Sequence, residues 1–466
     1  MINKNIIFLI GAIFLIGLNS CKKFLEISPE NETEIPSDKA LNSENDFQML
    51  LNSSYDVLRD NNFMGGNHRI LSDLLADEIN GSLLTGDYNS YYTRGTGIFI
   101  SATRTLWANP YRTIYRSNVL LEELEKKEFS ASFENRMKGE ALFLRALCHF
   151  ELVRLFGQPY GYSSDNSHAG IPIRIKASQE AESRSSVKQV YDQVIADLKE
   201  AENLLNDGGE KCFATKKACQ AYLARVYFQM NNFQEAYNYS SNFISVESQL
   251  DTNLLNRFSV SPSSEYIFYL SAVNPNNAAM RGLFDNYNYN SGRANLPLSE
   301  DAFLAVSSEP NDARLIAWFE ESEGEYFTKK FNECGAFGQN PIVHLTEMYL
   351  TYAESAAEIN NTSEALRILN YIRLRAKLSP FNSSNSVSLI EEIRKQRRIE
   401  LVIEGDRIQQ IKRIGAASQN SNTVLPINNL TVRNAPWNCN GLVVQLPDEE
   451  VQGNVNITLN PQGGCN

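Results

Sequence analysis

The sequence is poor in the residues and motifs that enzymes and membrane-spanning proteins usually carry. Its 466 residues include 7 cysteines and 4 histidines, and no long apolar run follows residue 18. It contains no His-Glu-x-x-His pattern, Gly-x-Ser-x-Gly elbow or glycine-rich phosphate loop, so metalloprotease, esterase and nucleotide-binding functions lack support. The formal net charge of -12 argues against a nucleic-acid partner.

The first residues have the order of a bacterial signal peptide, with Lys4 ahead of an apolar run from Ile6 to Leu18. This run would extend only about 20 Å as a helix, which is shorter than a hydrocarbon core of roughly 30 Å, so a permanent span is the weaker interpretation. Leu18-Asn19-Ser20-Cys21 resembles a lipobox. The resemblance implies that residues 1–20 are removed and that Cys21 carries acyl chains, which together make a stable anchor.

Residues 21–45 are polar, contain Pro29 and Pro36, and show no helical period, so they are predicted to form a lipidated tether. We find no linker composition after this point and predict a single domain over 46–466. It would include an irregular insert with a few short strands at about 250–340 and a loop-rich part at 415–466.

Apolar residues recur at intervals of three and four along most of the predicted domain, which is the helical period. A first helix is expected to begin near Ser43. Further helical patterns cover residues 46–59, 107–124, 132–156, 186–205, 214–229, 233–246, a pair within 342–374, and 388–414. Small Ala218 and Ala221 alternate with large Tyr222, a spacing that looks tetratricopeptide-like. The predicted fold is mainly α, a scaffold of tetratricopeptide-like helical hairpins.

The cysteines place few constraints on disulfide pairing or metal binding. Cys439 and Cys465 lie in irregular sequence and could form a disulfide, whereas Cys148 lies in an apolar helical pattern and is expected to be a buried thiol. Cys212 and Cys219 could pair only if the chain between them turns back. No cysteine has the spacing of a metal site, and no cofactor is predicted; a structural Ca²⁺ is conceivable but has no support in the sequence.

Four stretches together resemble the SusD/RagB family of outer-membrane nutrient-binding lipoproteins. They are Cys21-Lys22-Lys23-Phe24-Leu25-Glu26 with Pro29, then 139–157 with Pro159, then 344–354 joined to 397–407, and finally Leu446-Pro447 with Asn460-Pro461 and Gly463. The resemblance implies the same helical fold. It also implies a lipoprotein at the outer surface that captures oligosaccharide, or peptide in RagB-like relatives, and delivers it to a SusC-like TonB-dependent transporter.

The match departs from the family at His344, where Arg is usual, at Gln396, where Glu is often found, and at Gln409 and Gln410, which lie near a usual Asp. We interpret these departures as altered ion pairs. If 388–414 is one helix, Arg397 with Glu400 and Glu404 with Arg407 are each three residues apart on one face, which favours a structural ion-pair ladder over catalysis.

Sugar capture needs aromatic rings for the apolar faces of pyranoses, with amides and carboxylates for the hydroxyls. Two stretches, in regions where relatives place ligand-contacting loops, offer this chemistry. The first cluster has Asp77, Asp87, Tyr88, Asn89, Tyr91 and Tyr92 within a long loop expected at 77–105; the second has Asn286, Tyr287, Asn288, Tyr289, Asn290 and Arg293. We therefore expect a variant that loses Tyr88, Tyr91 and Tyr287 to stay folded but to lose glycan.

Aromatic loop residues also often just cover a scaffold, and Trp107 at helical spacing is expected to pack in this way. Two other classes of function stay open. A surface glycoside hydrolase would use a carboxylate pair such as Asp73 with Asp77, or Asp301 with Asp312. A helical-repeat adaptor would bind a protein on its concave face and would have no ligand pocket.

Overall fold

The computed structural model describes residues 41–244, 250–260, 263–272, 279–289, 294–309, 311–335, 338–418, 431–432, 435–462 and 464–465. The signal peptide, Cys21 and most of the predicted tether lie outside these ranges, as do Asn290 and Arg293. None of the helices within the described ranges is long and apolar enough to cross a bilayer.

The described chain is mainly helical, as predicted. Its helices are α1 Glu44–Leu58, α2 Asn67–Leu75, α3 Gly86–Tyr92, α4 Ser101–Leu124, α5 Ala131–Phe156, α6 Val187–Leu204, α7 Lys216–Gln229, α8 Phe233–Ser241, α9 Arg281–Tyr287, α10 Glu300–Ser307, α11 Ala313–Trp318, α12 Leu345–Glu358, α13 Thr362–Arg375, α14 Ser386–Glu400, α15 Arg407–Ser418 and α16 Asp448–Gly453. The strands are β1 Tyr266–Leu270, β2 Phe319–Ser322, β3 Glu325–Thr328, β4 Asn340–His344, β5 Thr431–Val432 and β6 Ala435–Pro436.

The first helix begins where the sequence indicates. Ser43 is the N-cap of α1: its hydroxyl accepts a hydrogen bond from the Asp46 backbone N–H, and the Asp46 carboxylate accepts one from the Ser43 backbone N–H. This reciprocal capping box satisfies two backbone donors that the first turn would otherwise leave free.

Successive helices pack as hairpins. Helix α5 packs between α4 and α6, α7 packs against α6 and α8, and α12 packs against α8, α13 and α14. The α7 residues Ala218, Ala221 and Tyr222 are completely buried, so small side chains let the helices approach while large ones fill the gaps. The prediction of a tetratricopeptide-like scaffold is confirmed.

The insert contains strands, as predicted, and also helices α9, α10 and α11, which were not predicted. Strand β1 pairs antiparallel with β4, from Tyr266 opposite His344 to Leu270 opposite Asn340. Strands β2 and β3 form a hairpin with Phe319 opposite Thr328. Helices α9, α10 and α11 each span only six to eight residues, which is too few for a clear helical period in the sequence.

The prediction of one helix over 388–414 is wrong. Helix α14 stops at Glu400, and α15 starts at Arg407. Between them Ile403 has φ +59° and Gly405 has φ +75°, a left-handed conformation that ends a helix and that glycine adopts without strain.

This break redirects the ion pairs, so the pairs predicted within one helix do not form. Arg397 binds Asp406, with Nε 2.9 Å from Oδ2, and Arg407 binds Asp77 with both ends of its guanidinium at 2.9 Å. Their role is nevertheless structural, because each pair ties the turn to a neighbouring element.

Glu400 lies at the centre of a buried ionic cluster. Its carboxylate is 3.0 Å from Arg314, 2.6 Å from Arg375 and 3.3 Å from Arg257, and its side chain is fully buried. Burial alone would raise its pKa, but the three guanidinium groups hold the pKa of Glu400 well below its usual range. The cluster joins α11, α13 and α14 to the segment before β1.

The C-terminal part carries the disulfide that the sequence left open, between Cys439 and Cys465. Cys148, Cys212, Cys219 and Cys334 are free and buried. Cys148 is thus the buried thiol that was expected, and Cys212 does not pair with Cys219.

The ionic cluster generates a stability prediction. Replacing Glu400 by Ala leaves buried guanidinium groups without their shared counter-charge, so the free energy of unfolding should fall by about 3–5 kcal/mol. Glu391→Ala, which removes an exposed glutamate from the same helix, should change it by less than about 0.5 kcal/mol. Urea denaturation measures both, and an equal loss in the two variants would contradict the importance of the cluster.

Candidate functional site

The first predicted cluster is not the exposed loop that was expected over 77–105. Residues Gly86–Tyr92 form helix α3, and α4 already begins at Ser101. The Asp87 carboxylate accepts a hydrogen bond at 2.8 Å from the Ala102 backbone N–H, so Asp87 stabilises the start of α4. A helix as short as α3 depends on such tertiary contacts, which composition does not reveal.

Two tyrosines predicted as exposed are buried. Tyr91 is 0% exposed, with its hydroxyl 2.8 Å from Thr103 Oγ1. Tyr287 is also 0% exposed; it donates to Asp73 at 3.0 Å and stacks on Phe331. The expectation that these rings are open to a ligand is wrong. A variant lacking Tyr88, Tyr91 and Tyr287 would lose two buried side chains, so it is not a clean test of ligand binding.

Asp77 is engaged in the fold. Its carboxylate receives both hydrogen bonds from Arg407, and Arg398 lies 3.6 Å away. Although burial opposes ionisation, the two arginines lower the pKa of Asp77 to about 2. Asp77 therefore serves first as an ion-pair partner.

The two predicted clusters converge. Tyr88 of α3 lies between Asn67 at the start of α2, whose Oδ1 is 3.4 Å from the Tyr88 hydroxyl, and Asn286 of α9, with which it shares a hydrogen bond. The approach depends on two glycines, since a Cβ on Gly66 would lie 2.8 Å from the Cα of Gly282. Any side chain at either glycine would push α9 away from α2.

The residues left partly exposed here define what we call the candidate face. They are Tyr88, Asn89, Tyr92, Asn286, Asn288 and Tyr289. Tyr88 and Tyr92 are four residues apart on α3 and so share one side of the helix. The Tyr92 ring covers Gly81, since a Cβ there would lie 2.2 Å from the ring.

Tyr289 is held firmly on this face. Its ring stacks on Phe327 with centroids 4.8 Å apart, and its backbone N–H and carbonyl both bond to the Asn332 side chain, at 2.9 and 3.1 Å. The neighbouring Asn288 has a buried Oδ1 with no hydrogen-bond partner among the described residues. The face thus combines a fixed ring with partly exposed amide side chains, Asn286 and Asn288.

A second aromatic pair was missed by sequence reasoning. Phe303 and Tyr326 stack with centroids 4.2 Å apart, and both are half-buried. Tyr326 precedes Phe327 on β3, so its side chain points to the opposite side of the hairpin from Tyr289. The only signal in the sequence was the turn-forming pair Glu323-Gly324 ahead of Tyr326, which is typical of a β-hairpin.

Beneath the face, two buried carboxylates bind the turn between α14 and α15. Asp73 accepts from the Gly405 N–H and Glu78 from the Ile403 N–H, each at 2.9 Å. Burial raises the pKa of Glu78 to about 7 and raises that of Asp73 as well. Since Asp73 also accepts from Tyr287, the face is connected to the ionic cluster.

The carboxylates proposed for hydrolysis are separated by their partners. Asp73 and Asp77 bind the backbone and Arg407 respectively, while Asp312 is buried against Arg314, with their closest atoms 2.6 Å apart. Asp301 is exposed on α10. Within the described ranges, no three His, Cys, Asp or Glu side chains are grouped so that they could hold a metal ion.

Comparison with known proteins decides the family. A family model described as starch-binding, associating with outer membrane, matches residues 23–228, and the SusD family model matches residues 319–461. The chain belongs to the SusD/RagB family.

Curated relatives are SusD-like proteins of Formosa agariphila. P38 is 28% identical over 244 residues, which cover 50% of this chain and 44% of that protein. P2 is 24% identical over 431 residues, which cover 79% of this chain and 83% of P2. The chain thus spans less than half of the length of P38 but most of P2.

Solved structures share the fold. A SusD superfamily protein from Bacteroides thetaiotaomicron superposes with a TM-score of 0.78 at 24% identity, covering 90% of this chain and 100% of that one. A laminarin-binding SusD-like protein superposes with a TM-score of 0.69 at 20% identity, covering 90% and 99%. At these identities the superpositions establish the architecture of the SusD/RagB fold alone.

The buried Glu78 generates a pH prediction. Its pKa rises from the ordinary 4.5 to about 7 on folding, so the folded protein binds more protons than the unfolded chain between these values. This contribution to stability is complete below pH 4.5 and is lost as the pH rises through 7. Glu78→Gln keeps an acceptor for Ile403 without the charge, so the variant should be more stable than the parent at about pH 8.

The stability difference between Glu78→Gln and the parent should shrink as the pH falls to 4.5. Urea midpoints across this range measure it. A difference that does not vary with pH would show that Glu78 does not titrate there.

Proposed function

We propose that this protein is a lipid-anchored binding protein of the outer surface, which captures oligosaccharide on the candidate face and delivers it to a SusC-like TonB-dependent transporter. The observation that carries the proposal is the contact of Tyr88 with Asn286, about 200 residues apart in sequence, on a partly exposed surface. Tyr289 follows Asn286 by three residues and is also partly exposed. Family membership and the outer-membrane association in the family description support the setting.

The chemistry of the face suits a sugar. Pyranose rings present an apolar side that stacks on tyrosine, and their hydroxyls bond to amides. Tyr88, Tyr92 and Tyr289 supply rings, and Asn89, Asn286 and Asn288 supply amides. The packing of Tyr289 on Phe327 fixes one ring before a ligand arrives, which lowers the entropy that binding must offset.

The position of the face also suits an anchored protein. Asn42, near the first described residue, bonds to Lys127 just beyond the C-terminal end of α4 at 3.2 Å, whereas Asp87 of α3 lies at the N-terminal end. The 24 residues of α4 span about 36 Å. Residue 41, where the described chain begins on the side of Cys21, therefore lies far from the face.

The capture proposal predicts the behaviour of a double variant. Tyr88→Ala with Tyr289→Ala should weaken oligosaccharide binding by about 10-fold or more, because each exposed ring contributes on the order of 1 kcal/mol of stacking. The matched control is Tyr160→Ala, which removes a half-buried tyrosine packed on Tyr191, outside the face. Calorimetry with a panel of neutral oligosaccharides, beginning with laminarin fragments, measures both.

Equal affinity in the parent and the double variant would contradict the assignment of the face. Binding of extended peptides in place of sugars would favour the RagB-like alternative, and release of shorter sugars during incubation would favour a hydrolase. An adaptor would bind neither sugar nor peptide.

The anchor proposal has its own test. Cys21→Ala removes the sulfur that would carry the diacylglyceryl group, so the variant should move from the membrane fraction of an expressing bacterium to the aqueous fraction. Fractionation followed by immunoblotting measures this. Retention of Cys21→Ala in the membrane fraction would contradict lipid anchoring at this residue.

A further inference from the structure

A groove runs beside the middle of α4, and none of the residues that line it belongs to the candidate face. Its volume is about 310 Å³, at the lower end of the roughly 300–1,000 Å³ typical of small-ligand pockets. Its walls are α4 and the segment 172–179, with Glu450 of α16 at one side. We call it the α4 groove.

The wall opposite α4 is fixed by hydrogen bonds. The Tyr111 hydroxyl donates to the Pro172 carbonyl at 2.8 Å, and Asn118 donates to the carbonyls of Arg174 and Lys176 at 3.1 and 3.0 Å. Glu122 accepts from the Ala177 N–H at 2.8 Å. The segment is therefore held along the helix, and the groove exists without a ligand.

The α4 groove is lined by three cations, Arg112, Arg174 and Lys176, and by one acid, Glu450. Arg112 and Lys176 are exposed and have no hydrogen-bond or ion-pair partner for their charged groups among the described residues. Arg174 adds a third cation, paired loosely with Glu182 at 3.4 Å. In a chain with a net charge of -12, this is a local reversal of sign.

The one acid that lines the groove is already engaged. Glu450 accepts from Trp107 Nε1 at 3.1 Å with one oxygen and from Asn454 Nδ2 at 2.7 Å with the other. Arg116 lies one turn after Arg112 on α4. Burial and the like charge of Arg112 together lower the pKa of Arg116. An anion entering the groove would meet Arg112 and Lys176, whose charges have no ion-pair partner among the described residues.

Tyrosine rings accompany these cations. Tyr115 is 39% exposed, and Tyr111 lies half-buried beside it on the same helix, fixed through its hydroxyl. Aromatic faces together with guanidinium and ammonium groups suit a sugar ring that carries an acid group. A concave site of this kind is less suited to a flat bilayer surface.

We propose that the α4 groove binds an acidic unit of the captured glycan, through the carboxylate of a uronic acid. This rests on the proposed function, whose face lies near the N-terminus of α4. Tyr111 lies ten residues along α4 from Ser101, or about 15 Å. Measured along the helix axis, the groove therefore begins about 15 Å from the end of α4 to which Asp87 of α3 bonds.

The test compares an acidic and a neutral probe. Arg112→Ala with Lys176→Ala should weaken calorimetric binding of tetragalacturonate by about 10-fold or more, because two charge-assisted contacts are lost, and binding of a neutral laminarin fragment should not change. The loss should be largest at low salt. Arg112→Lys with Lys176→Arg keeps both charges and should retain most of the affinity.

The matched control is Lys216→Ala with Lys217→Ala, which removes two exposed charges from the start of α7. Unchanged tetragalacturonate affinity in the groove variant, or an equal loss in the control, would overturn the proposal. So would failure of the parent to bind tetragalacturonate while it binds the neutral sugar, which would leave the proposed function intact. If the parent binds neither sugar, both proposals fail.

A membrane role would give a different result. Vesicles of phosphatidylglycerol and phosphatidylcholine that retain the parent but not the groove variant, with tetragalacturonate affinity equal in the two, would overturn the proposal in favour of a lipid contact.

Discussion

The rest of the structure depends on the way buried cations hold the turn that separates α14 from α15. Glu404 within this turn is 2.8 Å from Lys330 and 3.2 Å from Arg257, and Glu400 at its start is held by three arginines. Glu404 also lies 3.0 Å from Nε2 of His344, whose pKa is lowered by burial. On the other side, Asp73 and Glu78 bind the backbone N–H groups of the same turn. Because removing one partner from such a cluster leaves an uncompensated buried charge, the turn, α2 and the insert are constrained to one arrangement.

The scaffold could be predicted because its signals are local. Helical period, the cap at Ser43 and the alternation of small and large residues in α7 are all written in short stretches of sequence. The break after Glu400 could not be predicted in this way, because the apolar period continues through it and the partners that stabilise it, Asp73 and Glu78, lie more than 300 residues away. The same limit explains why Arg397 and Arg407 were assigned to the wrong acids.

The candidate site was predicted in composition but not in exposure. Both tyrosine-rich stretches do meet on one face, yet Tyr91 and Tyr287 point inward and complete hydrogen bonds with Thr103 and Asp73. On a helix as short as α3, neighbouring tyrosines face opposite environments, and nothing in a run of Gly, Asp, Asn and Tyr distinguishes them. The close contact of Gly66 with Gly282, which brings the stretches together, has no signature in either stretch alone.

Each part of the chain has a physical role: helical hairpins form the frame, the ionic cluster sets the turn, and the turn supports a face of rings and amides at one end of α4. A crystal structure of the protein with a bound oligosaccharide tests capture on this face most directly. We expect a pyranose ring stacked on Tyr88 or Tyr289, with its hydroxyls bonded to Asn286 or Asn288. A sugar bound elsewhere, with these four side chains still in water, would contradict capture on this face.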